Sequence, residues 1–143
     1  MVSGVVLEGR MDRGVAIHRT FLTPNGTKAE LEPNKMTLGP SKGGAVPLAP
    51  AGPVIAVSEG IESGLSFMQV TATPTWAGLS AAGVRNLILP REVEEVIIAA
   101  DPDVVGIRAA YEAAQRWLAE GRRVRIARPP VGQDFNDLLR QAS

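Results

Sequence analysis

Glu95-Val96-Ile97-Ile98-Ala99-Ala100-Asp101-Pro102-Asp103-Val104-Val105-Gly106 begins as an apolar run that does not alternate, passes two aspartates flanking a proline, and leads into a helical pattern. A continuous, β-branched run of that length reads as a strand buried on both faces, which is the mark of a parallel sheet covered by helices. The helix after it is expected over 104–120, where Ile107, Ala110, Tyr111, Ala114, Trp117 and Leu118 keep the i, i+3, i+4, i+7 rhythm. Glu112 and Arg116 form an i,i+4 pair outside that stripe, and Gly121 supplies the stop.

The same grammar extends in both directions. Upstream, Val54-Ile55-Ala56-Val57 is another unalternating strand, followed by a helical segment over 60–70 with Ile61, Leu65 and Met68 on one face. A further strand is expected near 70–75, with Trp76-Ala77-Gly78 as its exit, while residues 80–89 fit neither period. Downstream, Arg123 and Arg125 alternate with Val124 and Ile126 as in an exposed edge strand, Pro129-Pro130 ends it, and residues 134–141 form a short last helix. Strands alternating with helices imply the α/β class: about four mostly parallel strands flanked by helices, over residues 51–143.

Residues 1–50 read differently. Gly4 to Leu7 and Val15 to Leu22 are β-prone, and Asn25-Gly26 is a hairpin signal. From Gly39 to Pro53 there are four Gly and four Pro, which support neither a helix nor a central strand. This part is a small β-rich lead segment ending in a Gly/Pro linker.

Composition narrows the chemistry. The 143 residues contain no cysteine, which excludes disulfide scaffolds, thiolate zinc sites and cysteine nucleophiles and fits a reducing cytoplasm. Apolar runs such as Val96 to Ala100 are far shorter than the ~18 residues of a membrane span, so a soluble protein without a membrane partner is expected. Fifteen basic residues balance fifteen acidic ones, but unevenly. Residues 1–50 hold six basic and four acidic groups, residues 51–107 two and seven, and residues 108–143 seven and four. An acidic middle between basic flanks suits a carboxylate cluster that takes cations, with neighbours for a phosphate backbone, or is simply a solvated surface.

Where the acids fall separates those readings. Ligands of open α/β sheets sit beyond the C-terminal ends of the strands. Glu59 follows the first strand, Asp101 and Asp103 the third, and Asp134 and Asp137 the fourth. If the first and third strands are neighbours, Glu59 and the aspartates converge on one rim. Two such charges ~5 Å apart repel by ~3 kcal/mol at an effective dielectric of ~20. A divalent cation or protonation of one group offsets that cost, and oxygen ligands without His or Cys favour Mg²⁺ or Mn²⁺. Asp103 and Asp134 are also placed to cap the helices that follow them, with Asp137 at the third position of the last. Glu59 has no such structural duty.

Glu-Gly after the first strand, Asp101-x-Asp103-x-x-Gly106 after a later one and Gly132-x-Asp134-x-x-Asp137 near the end together resemble the Toprim domain, shared by bacterial primases, type IA and II topoisomerases, small recombination proteins and certain nucleases. The resemblance runs from Val54 to about Leu139. The lead segment, with His18-Arg19-Thr20-Phe21-Leu22, Asn25-Gly26 and Leu38 to Val46, is similar to the stretch preceding Toprim in phage- and plasmid-type primases and primase-helicases. The resemblance implies a Toprim-like fold, with Glu59, Asp101 and Asp103 as metal-binding catalytic carboxylates and Asp134 as a further metal ligand. It implies Mg²⁺-dependent (or Mn²⁺-dependent) nucleotidyl transfer, namely RNA primer synthesis from nucleoside triphosphates on single-stranded DNA. Such a domain belongs to a larger primase or primase-helicase, with helicase and zinc-binding domains supplied elsewhere.

One departure stands out: many primases carry Asp four residues after the Glu, where this chain has Ser63, and Glu62 beside it is expected to face elsewhere on the helix. Lys35, Lys42, Arg19 and Arg108 are the candidate contacts to template or nucleotide phosphates, while His18 is read as a structural group. Phosphodiester cleavage at the same metal rim and a non-catalytic nucleic-acid-binding module are the alternatives. Topoisomerase chemistry needs a nucleophilic tyrosine, and the single Tyr111 is assigned by its stripe to the core. A receiver-like domain needs a late-strand lysine, whereas every Lys lies within the first 42 residues.

Overall fold

The computed structural model describes residues 1–7 and 14–142. It contains two sheets. The smaller is antiparallel, in the order β1 (Val2–Val5), β2 (Ala16–Thr20), β3 (Lys35–Leu38). The larger comprises β4 (Val46–Pro47), β5 (Val54–Ser58), β6 (Thr75–Ala77), β7 (Glu95–Ala99) and β8 (Arg123–Ala127), in spatial order β4-β6-β5-β7-β8. Four of these strands are parallel. The fifth, β4, is a two-residue antiparallel edge that pairs Val46 with Ala77 and comes from the Gly/Pro-rich stretch read as loop. A proline is tolerated there because edge strands leave part of their backbone unpaired.

Helices cover both faces. α1 (Ile61–Thr71) and α4 (Phe135–Ala142) lie on one, α2 (Ala81–Asn86) and α3 (Val104–Ala119) on the other. On the α2/α3 side Ile55, Val57, Val96 and Ile98 of the sheet meet Val84, Leu87, Ala113 and Trp117. On the α1/α4 side Ala56 and Ala99 meet Phe67 and Phe135, whose rings stand edge to face at 5.1 Å. Val5, Ala16, Val46, Ile61 and Ala77 form a third apolar cluster joining the small sheet to the α/β layers. That contact, with the Val6–Ala45 bridge, sets the lead segment against the C-terminal ends of the parallel strands.

The helical stripes are rotated from those read in the sequence. In α3 the buried residues are Gly106, Ala109, Ala110, Ala113, Ala114 and Trp117, while Tyr111 and Leu118 are exposed. Small side chains let the helix lie close on the sheet, so alanines occupy the face assigned to larger residues. Tyr111 is therefore not a core residue; its ring carries the Arg128 guanidinium, which also donates to its hydroxyl. Glu112 pairs with Arg85 and Arg108 rather than Arg116, whose guanidinium donates to the Leu87 carbonyl at 2.6 Å. In α1 the buried face is Ile61, Gly64, Ser66 and Phe67, with Leu65 exposed. α1 also continues to Thr71, so the next strand begins at Thr75 rather than near Val70, and the unassigned 80–89 stretch contains the short α2, capped by Ser80 accepting from the Gly83 amide at 2.9 Å.

Asn25-Gly26 does turn the chain, with Gly26 at φ +80°, but Lys28 and Lys35 lie on opposite sides of a longer excursion before β3 pairs with β2. No described helix is long and apolar enough to cross a membrane.

Two buried tryptophans differ in a way that stability measurements detect. Trp76 Nε1 donates to the Ala49 carbonyl at 3.0 Å, whereas Trp117 Nε1 has no partner among the described residues. Trp76→Phe forfeits a hydrogen bond, and Trp117→Phe removes an unpaired buried donor. Urea unfolding is expected to show Trp76→Phe as the costlier by about 1 kcal/mol; the reverse ranking would contradict these assignments.

Candidate functional site

β5 and β7 are parallel neighbours with Ser58 opposite Ala99, so the residues just beyond their ends emerge side by side. Glu59 leaves β5, and Asp101 and Asp103 leave β7 two and four residues past its end. β8 pairs with β7 on the other side, and the loop after it returns Asp134 to the same edge at the start of α4. All four carboxylates line one cleft of about 300 Å³, together with Lys28, Lys35, Glu62, Ser63 and Asn136. A larger groove of about 540 Å³ runs along Pro47–Ala51 beside Trp76, but among the described residues Glu92 is its sole ionisable lining residue. A second groove of about 430 Å³ mixes Arg91, Arg122 and Arg123 with Glu94 and Glu120, whereas the smaller cleft gathers the carboxylates that follow the parallel strands.

Each acid is held by its own local structure. Asp103 caps α3, its Oδ1 accepting from the Gly106 amide at 2.7 Å. Gly106 is small for a reason: a Cβ there would lie 3.0 Å from both the Cβ and the carbonyl oxygen of Asp101. The first turn of α3 thus packs directly against the residue that carries the first aspartate. Asp134 and Asp137 exchange hydrogen bonds at the start of α4: the Asp137 amide donates to Asp134 Oδ1 at 2.8 Å, and the Asp134 amide to Asp137 Oδ2 at 3.0 Å. Capping engages one oxygen of Asp103 and one of Asp134. Asn136 follows in the same turn and is tied to α1 by the Ser66 hydroxyl, 2.8 Å away.

The electrostatics show negative charge that the cleft does not neutralise. Burial raises the proton affinity of Glu59, and the charges of Asp101 and Asp103 raise it further, against a hydrogen bond from the Ala81 amide and the attraction of Lys35. Asp101 is likewise raised, first by burial and then by Asp103, with Lys35 opposing and Asp134 adding to the rise. Glu62 behaves oppositely: burial pushes it up, but its own backbone amide, Lys35 and Lys28 outweigh that and hold it low. His18 is buried against Thr37, 2.9 Å from Nδ1, and is lowered by burial and by Lys35.

Glu59 holds its proton to higher pH in the folded than in the unfolded chain, so ionising it costs stability as pH rises through and above the ordinary carboxylate range. Glu59→Gln, which keeps an acceptor for the Ala81 amide, is expected to raise Tm at neutral pH in metal-free buffer. The gain should shrink as pH falls and the wild-type carboxyl takes up its proton; a gain independent of pH would refute the cost that burial and the neighbouring aspartates place on the ionised Glu59.

Among the described residues no three His, Cys, Asp or Glu side chains form a ready-made metal cage. An open set of oxygen donors with surplus negative charge still fits Mg²⁺, which keeps several waters and is bound through one or two carboxylates plus substrate phosphates.

Of the four cations singled out in the sequence, Lys35 lines the cleft. Lys42 is exposed in a turn, Arg19 is exposed with its guanidinium over the Phe21 ring, and Arg108 pairs with Glu112. Glu62 lines the cleft, contrary to its expected outward orientation, because α1 starts two residues after Glu59 and its first turn borders the site. Lys28 was not legible as a site residue, since only the lead segment's docking brings it there. Ser63 also lines the cleft.

Comparison with known proteins gives a consistent picture. Residues 54–143 match the family model described as Toprim domain, and residues 1–48 match a model described as a domain of unknown function. No curated protein matches at a significant level. Among solved structures, a DNA primase domain from Pseudomonas aeruginosa aligns with a TM-score of 0.60 at 19% identity, covering 97% of this chain and 52% of that one. The primase fragment of the bacteriophage T7 primase-helicase protein aligns at 0.62 and 24%, covering 89% and 59%. The Aquifex aeolicus primase, comprising zinc-binding and RNA polymerase domains, aligns at 0.66 and 17%, covering 90% and 34%. The chain spans a little over half of the first two structures and a third of the last.

Proposed function

Because this chain belongs to the Toprim domain family, we propose that it carries out Mg²⁺-dependent nucleotidyl transfer of the primase type, joining nucleoside triphosphates on a single-stranded DNA template in the cytoplasm. In this reading residues 1–50 are a lead segment and residues 51–143 the Toprim-like domain, working with helicase and zinc-binding parts of a larger assembly such as those named for the T7 and Aquifex proteins. The observation that carries the proposal is the convergence of Glu59, Asp101, Asp103 and Asp134 on one cleft faced by lysines.

Asp101 and Asp103 would hold Mg²⁺, or Mn²⁺, with Asp134 completing the set. Bound there, the cation supplies charge neutralisation for a triphosphate. Glu59 would accept a hydrogen bond from an attacking 3′-hydroxyl, a role that its proton affinity, raised by burial and by Asp101 and Asp103, suits. Lys35 and Lys28 are assigned to phosphate oxygens; Arg19, Lys42 and Arg108 lie outside the cleft and are left out of that set.

The test is incorporation of labelled nucleoside triphosphate on single-stranded DNA by the purified chain with Mg²⁺. Template-dependent product, lost in Asp103→Asn, is the expected result. Nicking of plasmid without nucleotides would favour phosphodiester cleavage, and DNA binding with neither activity would leave only a binding module.

A further inference from the structure

Lys28 and Lys35 reach the cleft from the lead segment, from the loop after β2 and from the first position of β3. Both meet the same acid. Glu62 Oε1 is 3.5 Å from Lys28 Nζ, and Oε2 is 3.7 Å from Lys35 Nζ. Among the described residues neither ammonium makes an ion pair with Glu59, Asp101 or Asp103, although all line the same cavity. A lysine is a point charge on a flexible stem of four carbons, free to follow the strongest nearby negative potential. Here that potential belongs to carboxylates that repel one another. Among the described residues Glu62 is the acid that pairs with both lysines, and without it their ammoniums would settle on Glu59 and Asp101 and cancel the charge a cation requires.

We infer that Glu62 is a positioning residue, gathering Lys28 and Lys35 at the mouth of the cleft and off Glu59 and Asp101, so that the carboxylates stay open to a divalent cation and the two ammoniums to substrate phosphate. The inference rests on the proposed metal site.

A double-mutant cycle on Mg²⁺ affinity, measured by calorimetry on the full chain without nucleotide, tests it. Four proteins are compared: the natural chain, Glu62→Gln, Lys28→Met with Lys35→Met, and the triple variant, each checked for an intact thermal transition. Glu62→Gln is expected to weaken Mg²⁺ binding about fivefold in the natural background and less than twofold once the lysines are gone. Glu62→Asp should recover most of the loss. Equal weakening in both backgrounds would overturn the inference, because Glu62 would then act as a ligand or a plain negative charge. If none of the four chains binds Mg²⁺, the metal site itself falls and the inference with it.

Discussion

Asp101→Asn is expected to lower Mg²⁺-dependent nucleotidyl transfer by about 100-fold or more, the scale on which the loss of a preorganised charged group in an active site is felt. The substitution is nearly isosteric and removes a charge that burial and Asp103 already disfavour. The variant should therefore remain folded, with a metal-free Tm at neutral pH no lower than that of the natural chain. Loss of activity with unchanged or raised stability is the signature of a group kept for chemistry at the expense of the fold. Radiolabel incorporation beside a thermal melt of the same preparation provides both readings; full activity in Asp101→Asn would remove Asp101 from the mechanism.

Trp117→Ala should have the largest effect on stability. Trp117 is fully buried on the sheet-facing side of α3 and packs in the cluster with Ile55, Val96 and Ile98 that supports the strands leading to Glu59 and Asp101. Truncation of a large aromatic in such a core costs about 3–5 kcal/mol, partly for the lost transfer energy and partly for the cavity. For a chain of this size that is a fall in Tm of roughly 10 °C or more. Urea unfolding measures it, and a cost below about 1 kcal/mol would mean that the α3 side of the sheet is not packed as described.

The two central parallel strands, β5 and β7, and the rim beyond them are legible in the sequence because buried strands write themselves as unbroken apolar runs, whereas β6 begins at Thr75, later than the expected start near Val70. Val54–Val57 and Glu95–Ala100 could hardly be read otherwise, and the acids after them stand where strand ends must point. The helix faces were less legible. Period alone favours large residues, so Tyr111 and Leu118 were placed inwards, whereas α3 approaches the sheet through Ala109, Ala110, Ala113 and Ala114. Asp103 and Asp134 are caps as well as rim residues, two roles that one carboxylate fills with different oxygens. Lys28 and Glu62 were beyond reach for a different reason. Lys28 reaches the cleft only through docking between the small sheet and the α/β layers, and the apolar contacts of Val5, Ala16 and Ile61 that fix it leave no mark on the lysine itself, whereas Glu62 sits there because the first turn of α1 borders the site.

Titration of the ¹⁵N,¹³C-labelled chain with Mg²⁺, followed through backbone amide and side-chain carboxyl resonances, asks whether the acids of this cleft bind a cation together. Saturable shifts at Glu59, Asp101 and Asp103, extending to Asp134 and absent in Asp101→Asn, are the predicted outcome. No response at millimolar Mg²⁺, or shifts scattered over unrelated surface acids such as Glu92 and Glu120, would contradict it.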